Sequence, residues 1–179
     1  YDGKQDTAVL GVAAGMVAAA AGTAVAVHSA DRVPATRGGT YKHVLSALDV
    51  PTDIRPATSA AMIYETGFGF YDQAAFNPEI AALLDRREQM GVRTFLNTIE
   101  TLANPADATV HLGSFYHLSF AKKLAQTVDQ SETLSFERAV FIQGLEGYDD
   151  IRPEQTILAD WRDGSFHDRT IEPAAYGIA

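Results

Sequence analysis

Four short apolar runs punctuate the chain: "TAVAVH" (23–28), "FGFYD" (68–72), "TVHLGS" (109–114) and "RAVFIQG" (138–144), with helical patterns between them. Strands that are apolar on both sides must be covered on both sides, which is the condition of a parallel sheet flanked by helices. Parallel neighbours also need a crossover of about a dozen residues or more, and a helix is the usual one. The helical segments here are long enough. The first runs to Gly22, with Asp6 as its expected cap; the next follows Gly38-Gly39; others are expected near 59–66, over 78–90 behind Asn77-Pro78, after Gly91, and over 118–128. The end of the chain reads differently. "TILADW" and "SFHDRTI" alternate in type about Asp163-Gly164, a hairpin signal. Together these patterns predict an α/β fold, a mainly parallel sheet flanked by helices with a C-terminal antiparallel hairpin, as one domain over residues 1–179.

The stretch from Ala8 to Val27 is long enough to be tested as a membrane span. It is rich in alanine and interrupted by glycine, and it divides at Gly22-Thr23 into a small-residue helix and a β-branched strand, so no membrane association is expected. The chain has no cysteine, which excludes disulfides and thiolate metal sites. With no signal-peptide pattern at its start, a cytoplasmic protein is the simplest expectation. A net charge of −9 works against general binding to phosphate backbones, because each such contact needs a cation. It leaves room for a local basic groove.

Open parallel sheets bind ligands beyond the carboxyl ends of their strands. Those ends are His28-Ser29 with the loop to Thr40, Tyr71-Asp72, Ser114-Phe115, and Gln143 leading to Asp149-Asp150. In "ATRGGTYKH" (35–43), Gly38 and Gly39 let backbone amides approach an anion, Thr36 and Thr40 offer hydroxyls, and Arg37 supplies charge at the start of a helix. The same glycines serve equally well as a tight turn. Asp149 and Asp150 on an irregular segment have the character of a magnesium site, since that ion takes one or two carboxylates and completes its shell with water and phosphate. A solvated turn is the plainer alternative. "LLDRREQMGVRT" carries Arg86, Arg87 and Arg93; one guanidinium could hold a ligand carboxylate through paired hydrogen bonds while its neighbour pairs with Asp85 or Glu88. His28 is the one histidine at a strand end, and a structural role suits it as well as a chemical one. There is no GxSxG, HExxH or Walker loop.

"DRREQMGVRTFLNTIETLANPA" (85–106) resembles the pattern "RRELGVRTxFNxLGPLxNPA" of the anthranilate phosphoribosyltransferase family, part of glycosyltransferase family 3. "HSADRVPATRGGTYKHVLSALDV" (28–50) is similar to that family's "KHGNR" loop, small-residue turn and "DVLEALGV" helix. "RAVFIQGLEGYDDI" (138–151) and "EPAAYGI" (172–178) are similar to its "RALVVHGxxGLDEI" and "PEDFGL". The resemblance implies an α/β domain that transfers phosphoribose from 5-phosphoribosyl diphosphate to the amine of anthranilate, a small aromatic amine acid, in tryptophan biosynthesis. It implies that Arg86 holds the acceptor's carboxylate, that Thr36 to Thr40 sit where the family holds phosphate, and that Asp149 and Asp150 bind Mg2+ on the diphosphate; His28, at its strand end, is counted with the substrate-binding residues. It further implies a homodimer for the full-length protein, whose small helical domain this chain lacks. "YDGKQD" and "IQGLEGY" also resemble a nucleic-acid-binding subgroup of the family. That alternative predicts binding through Arg32, Arg37 and Lys42, and a non-catalytic scaffold is a third reading.

Overall fold

The computed structural model describes Lys4 and residues 6–35 and 38–178; the remaining residues, Thr36 and Arg37 among them, lie outside the described set. The chain divides into two units, Tyr1–Ala106 and Asp107–Ala179.

In the first unit the alanine-rich stretch resolves into helix α1 (Gly11–Ala20) and strand β1 (Val25–Ser29), with Gly22 at φ +97° between them. Leu10 is the N-cap and no side chain caps the helix. Asp6 is not the cap, because a capping carboxylate reaches only the amides two or three residues on, and Gly11 is already five away. Among the described residues no helix is long and apolar enough to cross a membrane. Helices α2 (Tyr41–Ala47) and α3 (Pro56–Thr66) lead to β2 (Phe68–Asp72), which pairs parallel with β1 from Val25↔Phe68 to Ser29↔Asp72.

Close backbone approach builds this layer. A Cβ at Gly15 would touch Phe68 and Val25 at 3.2 and 3.3 Å, so α1 lies against both strands; at Gly69 it would sit 2.6 Å from Ser59 O, so α3 lies on β2. Val12, Ala19, Leu45, Phe68 and Phe70 form the core between them.

The unit continues through α4 (Gln73–Phe76), α5 (Pro78–Ala81), α6 (Leu84–Met90) and α7 (Leu96–Ile99), which tightens into a 3-10 turn over Glu100–Leu102. The single helix expected over 78–90 is broken in two. At the break the Leu83 amide bonds to Ile80 O, three residues back, instead of continuing the four-residue ladder.

The second unit has β3 (Val110–Ser114), α8 (Leu118–Gln130), β4 (Arg138–Ile142), β5 (Thr156–Arg162) and β6 (Ser165–Ile171). Its strand order is β3-β4-β5-β6, with β3 and β4 parallel and the other two pairings antiparallel. Helix α8 buries Ala121, Leu124, Ala125 and Val128, one face at helical spacing. Asp163 and Gly164, both at positive φ, make the expected β5–β6 turn. The α/β class and the C-terminal hairpin match the sequence reading. The parallel pairs, however, belong to two separate sheets.

His111 on β3 is buried against the rings of Phe136 and Phe141, at 5.0 and 5.5 Å between centroids. Burial pulls its pKa down to about 4. The unfolded chain, with a value near 6.5, therefore binds more protons than the folded one between these limits. The stability that neutral His111 contributes is present above about pH 6.5 and is lost as the pH falls, on the order of 3 kcal/mol by pH 4. Urea unfolding of His111→Leu should show a flatter loss of stability from pH 7 to pH 4 than the parent chain. An unchanged slope would assign the acid sensitivity to other groups.

Candidate functional site

The carboxyl ends of β1 and β2 carry the polar groups of the first unit. Ser29 Oγ accepts a hydrogen bond from the Lys42 amide at 3.0 Å, which ties the end of β1 to the first turn of α2. Thr40 is the N-cap of α2: its hydroxyl accepts from the His43 amide, and the Thr40 amide donates to His43 Nδ1 at 3.1 Å, a capping box closed by histidine. The Lys42 ammonium reaches Asp53 at 2.8 Å and the buried carboxylate of Asp72 at 3.2 Å. Burial works against that charge, but the hydrogen bonds and charges of the two aspartates outweigh it and hold the Lys42 pKa above its ordinary value. Asp53 is held below its ordinary value by the same bond.

The expected phosphate cradle falls partly in view. Gly39 forms an antiparallel bridge with Lys4, donating to Lys4 O at 2.8 Å and accepting from Lys4 N at 3.1 Å. The Gly39 and Thr40 amides are thus both engaged within the chain, and an anion would have to compete for them. Thr36 and Arg37 lie outside the described residues. His28 sits half-buried on β1 opposite Tyr71, edge-on to Phe76 at 5.8 Å.

The two adjacent arginines separate sharply. Arg86 is exposed on α6. Arg87 is 3% exposed, and it donates to Glu100 through both terminal nitrogens, at 2.7 and 2.9 Å. Gln73, the residue after β2, also donates to Glu100, and Asn97 accepts from Arg87 at 3.3 Å while bonding the Thr94 amide and Pro34 O. One buried network therefore joins the end of β2, α6, α7 and the loop after β1.

Sequence reading named neither Glu100 nor Gln73. The available signal was Glu100 as the lone charged residue of "LNTIETL". Counted back without a gap from Gly91-Val92-Arg93-Thr94, the first arginine of "RRELGVRT" falls on Arg87 and not on Arg86. Counted forward, the glycine of "LGPL" falls on Glu100.

In the second unit the segment after β4 is a braced loop. The Gln143 amide donates to Ile157 O at 2.9 Å, and its side chain donates to Tyr116 O at 2.8 Å. Arg152 donates to Gly144 O at 3.1 and 3.3 Å, and its amide donates to Thr156 Oγ1 at 2.7 Å. Tyr148 is buried, Glu146 takes a left-handed conformation at φ 51°, and Asp149 and Asp150 follow, both half-buried. Among the described residues no group of three or more metal-ligating side chains gathers. Two carboxylates on a braced loop still fit magnesium, which needs no larger protein cage.

In each unit a parallel strand pair carries polar side chains at or just beyond its carboxyl ends, the arrangement of the α/β proteins that take ligands at that edge. Residues 2–179 match the glycosyl transferase family, a/b domain, and the chain belongs to that family. It is 34% identical over 164 residues to the anthranilate phosphoribosyltransferase of Stenotrophomonas maltophilia (strain R551-3), covering 91% of this chain and 46% of that protein. The same enzyme of Burkholderia mallei (strain SAVP1) is 32% identical, with 90% and 46% covered. Crystallographic anthranilate phosphoribosyltransferase from Thermus thermophilus superposes with a TM-score of 0.77 at 28% identity, over 94% of this chain and 48% of that one. The enzyme from Saccharomyces cerevisiae, in complex with 4-fluoroanthranilate, shares the fold with a TM-score of 0.74 at 18% identity, over 98% and 46%. The chain spans about half the length of these relatives.

Proposed function

We propose that this chain is the α/β part of a phosphoribosyltransferase that moves phosphoribose from 5-phosphoribosyl diphosphate to the amine of anthranilate or a related aromatic amine, in tryptophan biosynthesis. The observation that carries the reading is the family match along residues 2–179, together with relatives of that activity aligned over nine-tenths of the chain. Asp149 and Asp150 would hold Mg2+, which neutralises a diphosphate leaving group when bound. The brace of Gly144, Arg152 and Gln143 would keep the two carboxylates in position without rearrangement. Ser29, Lys42 and Thr40 would order the start of α2 beside the phosphate-side loop.

Calorimetry of this chain with 5-phosphoribosyl diphosphate and magnesium tests the proposal. Binding is expected, and the paired change Asp149→Asn with Asp150→Asn should reduce it at least about tenfold, the effect of losing roughly 1.4 kcal/mol. No heat of binding by the parent chain would sink the reading.

The nucleic-acid alternative is less well served. Two of its three cations carry carboxylate partners: Arg32 pairs with Asp85 and Glu88, and Lys42 with Asp53 and Asp72. Such pairing cancels the charge that counterion release depends on.

A further inference from the structure

Arg87 and Glu100 form the most deeply buried ion pair among the described residues, their side chains 4% and 2% exposed. The guanidinium donates to both carboxylate oxygens, in the paired geometry by which arginine recognises a free carboxylate. Gln73 anchors the carboxylate from the end of β2, where an open α/β sheet takes its ligands. A cation buried to this degree needs an anion close by, because desolvation is otherwise uncompensated. At the position of Glu100 the family pattern has glycine, which offers no side chain. An arginine facing glycine there would have to find its anion in a ligand.

We propose that Glu100 is a specificity-determining residue: its carboxylate occupies Arg87 from within the chain, so the ligand bound at this edge is an amine that carries no carboxylate for that arginine. This rests on the reading above for the transfer of phosphoribose to an amine; of the acceptors named there it keeps related amines without the acid group and drops anthranilate itself, and with it the placing in tryptophan biosynthesis. The nearby cations agree with it. Lys42 and Arg32 are also matched by carboxylates of the chain, and Arg86 is exposed, where a single charge pair is weak and screened by salt.

The test uses benzoate, a carboxylate without an amine, and needs neither 5-phosphoribosyl diphosphate nor turnover. Melting temperatures are measured with increasing benzoate for the parent chain, Glu100→Ala and Glu100→Gly. A ligand that binds only the folded state raises the melting temperature. The parent should not move, whereas both variants should melt lower without benzoate and recover with it, the added carboxylate replacing the missing one. A variant that folds only with benzoate present gives the same support.

Saturable protection of the parent, lost in either Arg86→Gln or Arg87→Gln, would overturn the proposal; so would folded Glu100 variants that benzoate leaves unmoved. If neither variant folds under any condition, the parent titration decides. The diphosphate titration described above fails or succeeds independently of these results, so the two proposals can fall separately.

Discussion

Arg87→Ala should unfold at markedly lower urea than the parent chain, with a loss of about 3–5 kcal/mol, the range for breaking a buried ion pair from one side. The size comes from what stays behind. Glu100 would be left at 2% side-chain exposure with Gln73 as its remaining side-chain donor among the described residues, and Asn97 would lose a donor while still holding Pro34 and Thr94. The pair itself is worth much less than that loss, since bringing two ions out of water already costs several kcal/mol. A double-mutant cycle separates the two quantities. Arg87→Ala with Glu100→Ala should be far less destabilised than the two single losses added together, because neither charge is then stranded. Additive losses would mean that the two side chains do not act as the bidentate pair seen here.

The second large effect is expected at Gly144. Its φ of −87° and ψ of −171° are open to any residue, so backbone conformation is no obstacle. Space is the obstacle. A Cβ there would lie 2.6 and 2.7 Å from the O and N of Asp150, and closer still to Tyr148 O. All three are main-chain atoms of the same loop, so no rotamer change relieves the contact. Gly144→Ala should cost about 1–3 kcal/mol, the range for overpacking a tight site. It should also displace Asp149 and Asp150, so magnesium-dependent binding of 5-phosphoribosyl diphosphate should weaken along with stability.

Gly91→Ala is the control. Its φ of 65° is strained for alanine, but nothing lies within 4 Å, so it should cost about 1 kcal/mol and leave binding untouched. If Gly144→Ala behaves like Gly91→Ala, the loop is not tight at Gly144.

Much of this molecule is legible in its sequence. The apolar run "FGFYD" locates β2 to the residue, and Asp163-Gly164 marks the hairpin turn, because short apolar runs and turn chemistry are local properties of the chain. The single helix expected over 78–90 is two helices, because at the break the Leu83 amide bonds Ile80 O three residues back, a change of ladder that the side-chain pattern does not carry. The resemblance assigns the acceptor's carboxylate to Arg86, while in the fold it is the adjacent Arg87 that is buried. On a helix the two point in different directions, and sequence alone does not say which direction is inward. The glycines of the expected cradle were read from a loop pattern, but the partner of Gly39 is Lys4, thirty-five residues away in the chain.

By itself the sequence determined the α/β class, the parallel pairing with a C-terminal hairpin, and the family, because these rest on short-range periodicity and on motifs that can be read along a line. Only the tertiary structure decided that the parallel strands lie in two sheets, that Lys42 directs its charge to Asp53 and Asp72, and that Glu100 closes on Arg87. The physical reason is the same in each case. Which charges meet is set by burial and by contacts between residues distant in the chain, and a carboxylate thirteen residues from an arginine carries no mark of that partnership until the fold removes the water between them.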